Sequence, residues 1–136
     1  MPLNYGSEPS NLRDKIAIVT GGSRGIGRAI ARELRNHGAK VAVADLYRDK
    51  AASATQNVAE MSVKCDVTKE EEIKNLVSIV RKKFGRIDIF VSNAGVCLDE
   101  KDHSASGSNA VWKSSWEVNV MAHVYAARAT LPEMIK

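Results

Sequence analysis

The run Ile16-Ala17-Ile18-Val19-Thr20 passes without a linker into Gly21-Gly22-Ser23-Arg24-Gly25-Ile26-Gly27, and an amphipathic stretch begins inside this glycine turn. A β-branched run that turns on glycine straight into a helix is the opening of a strand-helix unit, whose helix carries the chain back to start a parallel neighbour. The pattern then recurs. Short apolar runs predict strands at Ile16–Thr20, Lys40–Ala44, Ser62–Cys65 and Ile87–Ser92, with longer stretches of helical period between and after them. The expectation is an α/β protein with a Rossmann-like, doubly wound parallel sheet, truncated to about four strands.

The first helix is expected at Gly25–Asn36, with Ile26, Ile30 and Leu34 on one face and Gly38 as a left-handed cap. A weaker pattern places a second at Asp49–Glu60. A third opens at Thr68, which forms a capping box with Glu71, turns Ile73, Leu76, Val77 and Val80 inward, and stops at Gly85. Residues 96–109 are polar and predict a surface loop. The last helix, from Ala110 onward, carries two apolar stripes: Val111, Ser115, Val118, Ala122, Tyr125 and Ala129, and separately Trp116, Val120, Val124, Ala127 and Leu131. One stripe can cover the sheet; the other needs a second surface, so a homo-oligomer through this helix is expected. Residues 1–14 have no period and are expected to be a flexible arm, leaving 15–136 as one domain.

Composition narrows the function. Lys plus Arg number 20 against 16 Asp plus Glu, and the one dense basic cluster, Arg81-Lys82-Lys83 with Arg86, falls at a helix end where cations complement the dipole. No basic stripe with interleaved aromatics accompanies it, so nucleic acid is not an expected partner. No apolar run reaches the roughly 20 residues that span a bilayer, and no signal peptide is evident, so a cytoplasmic protein without a membrane partner is expected. Cys65 and Cys97 lie far apart, as do His37, His103 and His123; they read as reduced thiols and solvated or packed histidines, not metal ligands.

The glycine turn has a chemistry of its own. Free backbone N–H groups and the positive end of a helix dipole converge there on a point that suits a pyrophosphate. Gly21 permits the turn, Gly25 the close approach of phosphates and Gly27 tight helix packing, with Ser23 and Ile26 completing the cradle. The spacing is GxxxGxG and lacks the Gly-Lys-Ser/Thr of nucleotide hydrolases. Asp45 closes the second strand, where an acidic side chain accepts hydrogen bonds from an adenosine ribose. A charge pair about 4 Å apart interacts by roughly 4 kcal/mol at an effective dielectric near 20, so Asp45 should repel a 2′-phosphate. NAD is therefore preferred. Arg24, in the turn, and Arg48 could pair with that phosphate, which keeps NADP possible.

Taken in order, the TGGSRGIG turn at 20–27, Asp45, Cys65-Asp66-Val67, Phe84-Gly85-Arg86-Ile87-Asp88 leading to Asn93-Ala94-Gly95, and Trp112 through Val118-Asn119-Val120 resemble the short-chain dehydrogenase/reductase family from about Leu12 to Lys136. The resemblance implies that Asp66 and Val67 border the adenine, that Asn93, Ala94 and Gly95 line the cofactor pocket, and that Asn119 is the asparagine of the catalytic tetrad, holding a water in a proton relay. Ser92 stands where the family has a further asparagine. It also implies a hydride transfer between nicotinamide and a secondary alcohol or ketone, with a Tyr-x-x-x-Lys pair moving the proton. The residues four positions after Tyr5, Tyr47 and Tyr125 are Pro9, Ala51 and Ala129, so that pair has no match here. The 136 residues are expected to carry the cofactor-binding half of an oxidoreductase and to be inactive alone. The alternative is a noncatalytic nucleotide-binding or interaction module.

Overall fold

The computed structural model describes residues 11–47, 56–97 and 106–136. Four parallel strands, β1 (Ile16–Thr20), β2 (Lys40–Asp45), β3 (Met61–Lys64) and β4 (Ile89–Val91), form one sheet in the order β3-β2-β1-β4. Helix α1 (Gly25–Asn36) follows β1, and α2 (Glu70–Phe84) follows β3. The C-terminal stretch is α3 (Asn109–Trp116), a π-helical turn at Glu117–Met121, and α4 (Ala122–Met134). This is a Rossmann-like α/β sheet of four strands.

The sheet is buried on both faces, which explains why β1 and β2 read as unbroken apolar runs rather than alternating ones. On one face Ala17, Val19, Val41 and Val43 pack with Ala31 of α1, with Ile30 and Leu34 against them. On the other, Ile16, Ile18, Ala42 and Ala44 meet Ile73, Leu76, Val77 and Val80 of α2, joined by Tyr125, Ala129 and Met134 of α4. Each fully buried Ile, Leu or Val contributes about 2 kcal/mol. Between α2 and α4, Arg81 pairs with Glu133 at 2.7 Å and Arg86 donates to the Met134 carbonyl at 3.0 Å, so the basic cluster is spent partly on holding the layer together.

Several boundaries differ from the sequence reading, each for a local reason. Residues 11–14, assigned to the arm by composition, are tied down: the Leu12 amide donates to His37 O at 2.8 Å and its side chain packs against the core. The helix expected over 49–60 falls mostly outside the described residues, but its end is not helical. Residues 56–58 form a turn, with Asn57 at φ 66°, and Glu60 caps the edge of β2 by accepting from the Val41 amide at 2.6 Å and from Arg35 at 2.9 Å. Strand β4 is shorter than Ile87–Ser92. The Asp88 carboxylate, not a strand carbonyl, accepts the Ile16 N–H at 3.0 Å, and beyond Val91 the amides turn toward a side chain of β1.

The capping box at Thr68 is not formed. Lys69 occupies the N-cap without a side-chain bond, Thr68 donates its amide (3.1 Å) and hydroxyl (2.7 Å) to Asp66, and Glu72 reaches back to the Asp66 amide at 2.7 Å. The last helix is not one regular helix either. The π-turn inserts a residue into the 3.6 repeat, so the buried face of α4 becomes Ala122, Ala126 and Thr130, while Trp116, Val124 and Leu131 of the second stripe face outward.

Candidate functional site

In this strand order the chain leaves β1 toward β2 on one side and returns as β4 on the other, so a crevice opens above the carboxyl end of β1. Open parallel sheets bind their ligands at such a switch point. Three segments border it here: the glycine turn after β1, Asp45 at the end of β2, and residues 92–96 after β4.

The glycine turn is held from below and open above. Gly21 takes φ 65° and its amide donates to Ala44 O at 2.8 Å. A Cβ on Gly27 would collide with the Gly21 carbonyl and with Asn93 Nδ2, so helix and turn touch through bare backbone. Gly25 is the opposite case: it takes φ 54°, and nothing lies within 4 Å of where its Cβ would stand. The N-cap of α1, Arg24, makes no side-chain cap, leaving the first-turn amides to the open side with the positive half-charge of the dipole behind them. Ile26 is 75% exposed at the same mouth, an apolar side chain that only a ligand or partner would cover. An open, uncapped helix N-terminus with a vacant Cβ position fits a diphosphate.

Asp45 is fixed by the turn itself. The Ser23 hydroxyl and the Ser23 amide (3.3 Å) both donate to Asp45 Oδ2, leaving Oδ1 to accept from elsewhere. Ser23 is thus a link between turn and carboxylate, a relationship that the sequence pattern did not display. Arg24 is exposed beside it; Arg48 lies outside the described residues.

On the far side of β1, the buried Thr20 hydroxyl is a hub: it accepts from the amides of Asn93 (3.0 Å) and Ala94 (3.1 Å). Asn93 Nδ2 in turn donates to Thr20 O at 3.0 Å and Gly21 O at 3.3 Å. The amide of Asn93 is therefore spent on bracing the glycine turn, while Ala94 and Gly95 carry the chain past it. Thr20 was missed in the sequence, although a polar residue ending a buried strand needs a partner and so gave a signal.

Asp66 and Val67 lie at the end of β3, and Val67 packs against the core. Burial alone would raise the Asp66 carboxyl, but the two Thr68 hydrogen bonds and the Lys69 ammonium outweigh it and hold it below the usual carboxylate range. The backbone hydrogen bond from Asp66 and the Lys69 ammonium lower Glu72 likewise. Next to them, burial, reinforced by Glu72 and Asp66, pushes the Cys65 thiol up to about 12, so it stays protonated. Asn119 lies in the π-turn with its carboxamide on the main chain of Val96: Oδ1 accepts from the amide at 2.9 Å and Nδ2 donates to the carbonyl at 2.8 Å. The carboxamide keeps a second lone pair and a second N–H for a further partner.

Among the described residues no group of three or more His, Cys, Asp or Glu could hold a metal ion, and no helix is long and apolar enough to cross a membrane.

The family model of the short chain dehydrogenases matches residues 15–136. The chain belongs to that family. It is 40% identical over 130 residues to an uncharacterised oxidoreductase of Staphylococcus aureus, covering 92% of this chain and 54% of the relative. A short-chain dehydrogenase from Novosphingobium aromaticivorans superposes with a TM-score of 0.84 at 30% identity, over 92% of this chain and 47% of that one. A metagenomic short-chain oxidoreductase solved in complex with NADP gives a TM-score of 0.84 at 34% identity, over 93% of this chain and 59% of that one. The chain thus spans about half the length of the relatives it matches, and family membership makes it a dinucleotide-binding module of the oxidoreductase type.

Proposed function

We propose that these residues bind a nicotinamide dinucleotide, NAD in preference to NADP, as the cofactor-binding half of an oxidoreductase acting on a secondary alcohol or ketone. The observation that carries the reading is the pairing of an uncapped, open helix N-terminus at Gly25 with the Asp45 carboxylate pinned beside it. Gly21, Ser23, Arg24, Gly25, Ile26 and Gly27 would hold the diphosphate, Asp45 the adenosine ribose, Asp66 and Val67 the adenine, and Asn93, Ala94 and Gly95 the inner side of the cofactor. A nicotinamide bound there would supply the hydride donor or acceptor. Asn119 is the one residue present that the family uses in catalysis, through a water held by its free amide valences.

No tyrosine in these 136 residues has a lysine four positions on, so the chain alone should bind cofactor without turning over substrate. The exposed edge of β4, beside the groove between Phe90 and Leu131, suits a further strand of a longer protein. The outward face at Trp116, Val124 and Leu131 suits association with a second copy. Calorimetric titration with NAD, NADP and AMP, alongside an alcohol-oxidation assay, tests the reading. Saturable NAD binding stronger than NADP binding, without turnover, supports it; no NAD binding, or turnover by the pure chain, overturns it.

A further inference from the structure

Beyond Val91 the chain has no regular structure until it leaves the described residues at Cys97, so side-chain ties must fix the segment that carries Asn93, Ala94 and Gly95. Thr20 ties it on the β1 side. On the other side, among the described residues, there are two ties, both to the C-terminal helical stretch. Asn119 grips Val96 through both carboxamide atoms, and four residues further on His123 Nδ1 stands 2.7 Å from Ser92 Oγ. The two grips lie one helical turn apart and seize the two ends of the same five-residue segment, with the cofactor turn between them. With Nε2 protonated, Nδ1 accepts the serine hydroxyl; with Nδ1 protonated, it donates to the serine oxygen, and either form joins strand to helix.

We infer that Ser92 and His123 are positioning residues, a brace that sets the spacing between the Asn93-Ala94-Gly95 turn and the helix bearing Asn119. The inference rests on the dinucleotide reading above and names a specific half of that site. Asp45 lies on the β2 side of the glycine turn and the braced segment lies on the β4 side, so a dinucleotide whose adenosine ribose meets Asp45 extends past the diphosphate toward the brace. Disturbing the brace should weaken contacts to the nicotinamide half and spare those to the adenosine half.

The test compares NADH and AMP titrations of the 136-residue chain with those of Ser92→Ala, His123→Ala, the double variant, and His123→Asn, whose amide can occupy the position of Nδ1. Loss of one hydrogen bond predicts that each alanine variant binds NADH about five-fold more weakly with AMP affinity unchanged. The double variant should lose no more than either single, and His123→Asn should bind as the parent does. Equal weakening of NADH and AMP, additive losses, or unchanged NADH affinity in Ser92→Ala overturns the brace while leaving dinucleotide binding intact. Ser92→Ala removes one oxygen and leaves the backbone alone, so it carries the test if His123→Ala fails to fold. A parent chain that binds neither ligand overturns the dinucleotide reading, and the brace with it.

Discussion

Ser23 donates both its hydroxyl and its amide to a single oxygen of Asp45, so the carboxylate at the end of β2 is locked to the glycine turn rather than free to swing into solvent. The lock holds a negative charge where the 2′ position of an adenosine ribose would lie. Replacing Asp45 with Ala should remove both the hydrogen-bond acceptor and the repulsion, which reaches roughly 4 kcal/mol at about 4 Å and an effective dielectric near 20. Asp45→Ala is therefore expected to weaken NAD and strengthen NADP binding, moving their affinity ratio by up to about a thousandfold. Parallel titrations with the two dinucleotides measure it, and an unchanged ratio would remove Asp45 from the site.

Two glycines of the same turn should fail in different ways. An alanine at Gly27 meets the Gly21 carbonyl and the Asn93 amide, so Gly27→Ala should lower stability by about 1–3 kcal/mol as an overpacked contact. At Gly25 the methyl group enters open space, and the cost to stability is limited to the left-handed backbone, about 1–2 kcal/mol. That methyl nevertheless occupies the place proposed for phosphate. Gly25→Ala should therefore remain folded and lose dinucleotide binding, as urea melts and titrations on the same sample would show.

The fold was legible because its signals are local. The apolar runs of β1 and β2, the glycine turn and the span of α1 follow from residue type and period alone. What escaped depends on contacts between distant segments. Glu60 replaces the end of an expected helix because its carboxylate serves β2. The box expected of Thr68 and Glu71 does not form because Thr68 gives its hydroxyl proton to Asp66, two residues earlier, and it is Glu72 that reaches back, to the Asp66 amide. At the site, Asp45 was visible as a strand-end acid, whereas its Ser23 lock, the Thr20 hub and the Ser92–His123 contact each join residues from separate elements and leave no trace in spacing.

The turn before α2 should fail in acid. Asp66 is held below its ordinary 3.8 and Glu72 below its ordinary 4.5, so both are charged more readily folded than unfolded. A lowered folded value means that their contribution is complete above the unfolded values and vanishes as pH falls through the folded ones. Stability at neutral pH should therefore drop below about pH 4.5, and Asp66→Asn should flatten that drop; denaturant melts from pH 7 to pH 3 would report it. A variant with the parent's acid profile would show that the Asp66 charge contributes nothing.

The two thiols should react differently. Cys65 is buried and remains protonated, whereas Cys97 is exposed. Iodoacetamide at pH 8 should modify Cys97 alone in the folded chain and both thiols in denaturant, as intact mass would reveal. Rapid native labelling of Cys65 would mean that the β3 end opens.

The most direct measurement of the central claim is an amide-resolved NMR titration of the chain with NAD. Binding as described predicts saturable shifts concentrated at Gly21, Gly25, Ile26, Gly27 and Asp45, with smaller ones at Asn93–Gly95. Saturation with those amides unmoved, or no saturation at millimolar NAD, would contradict it.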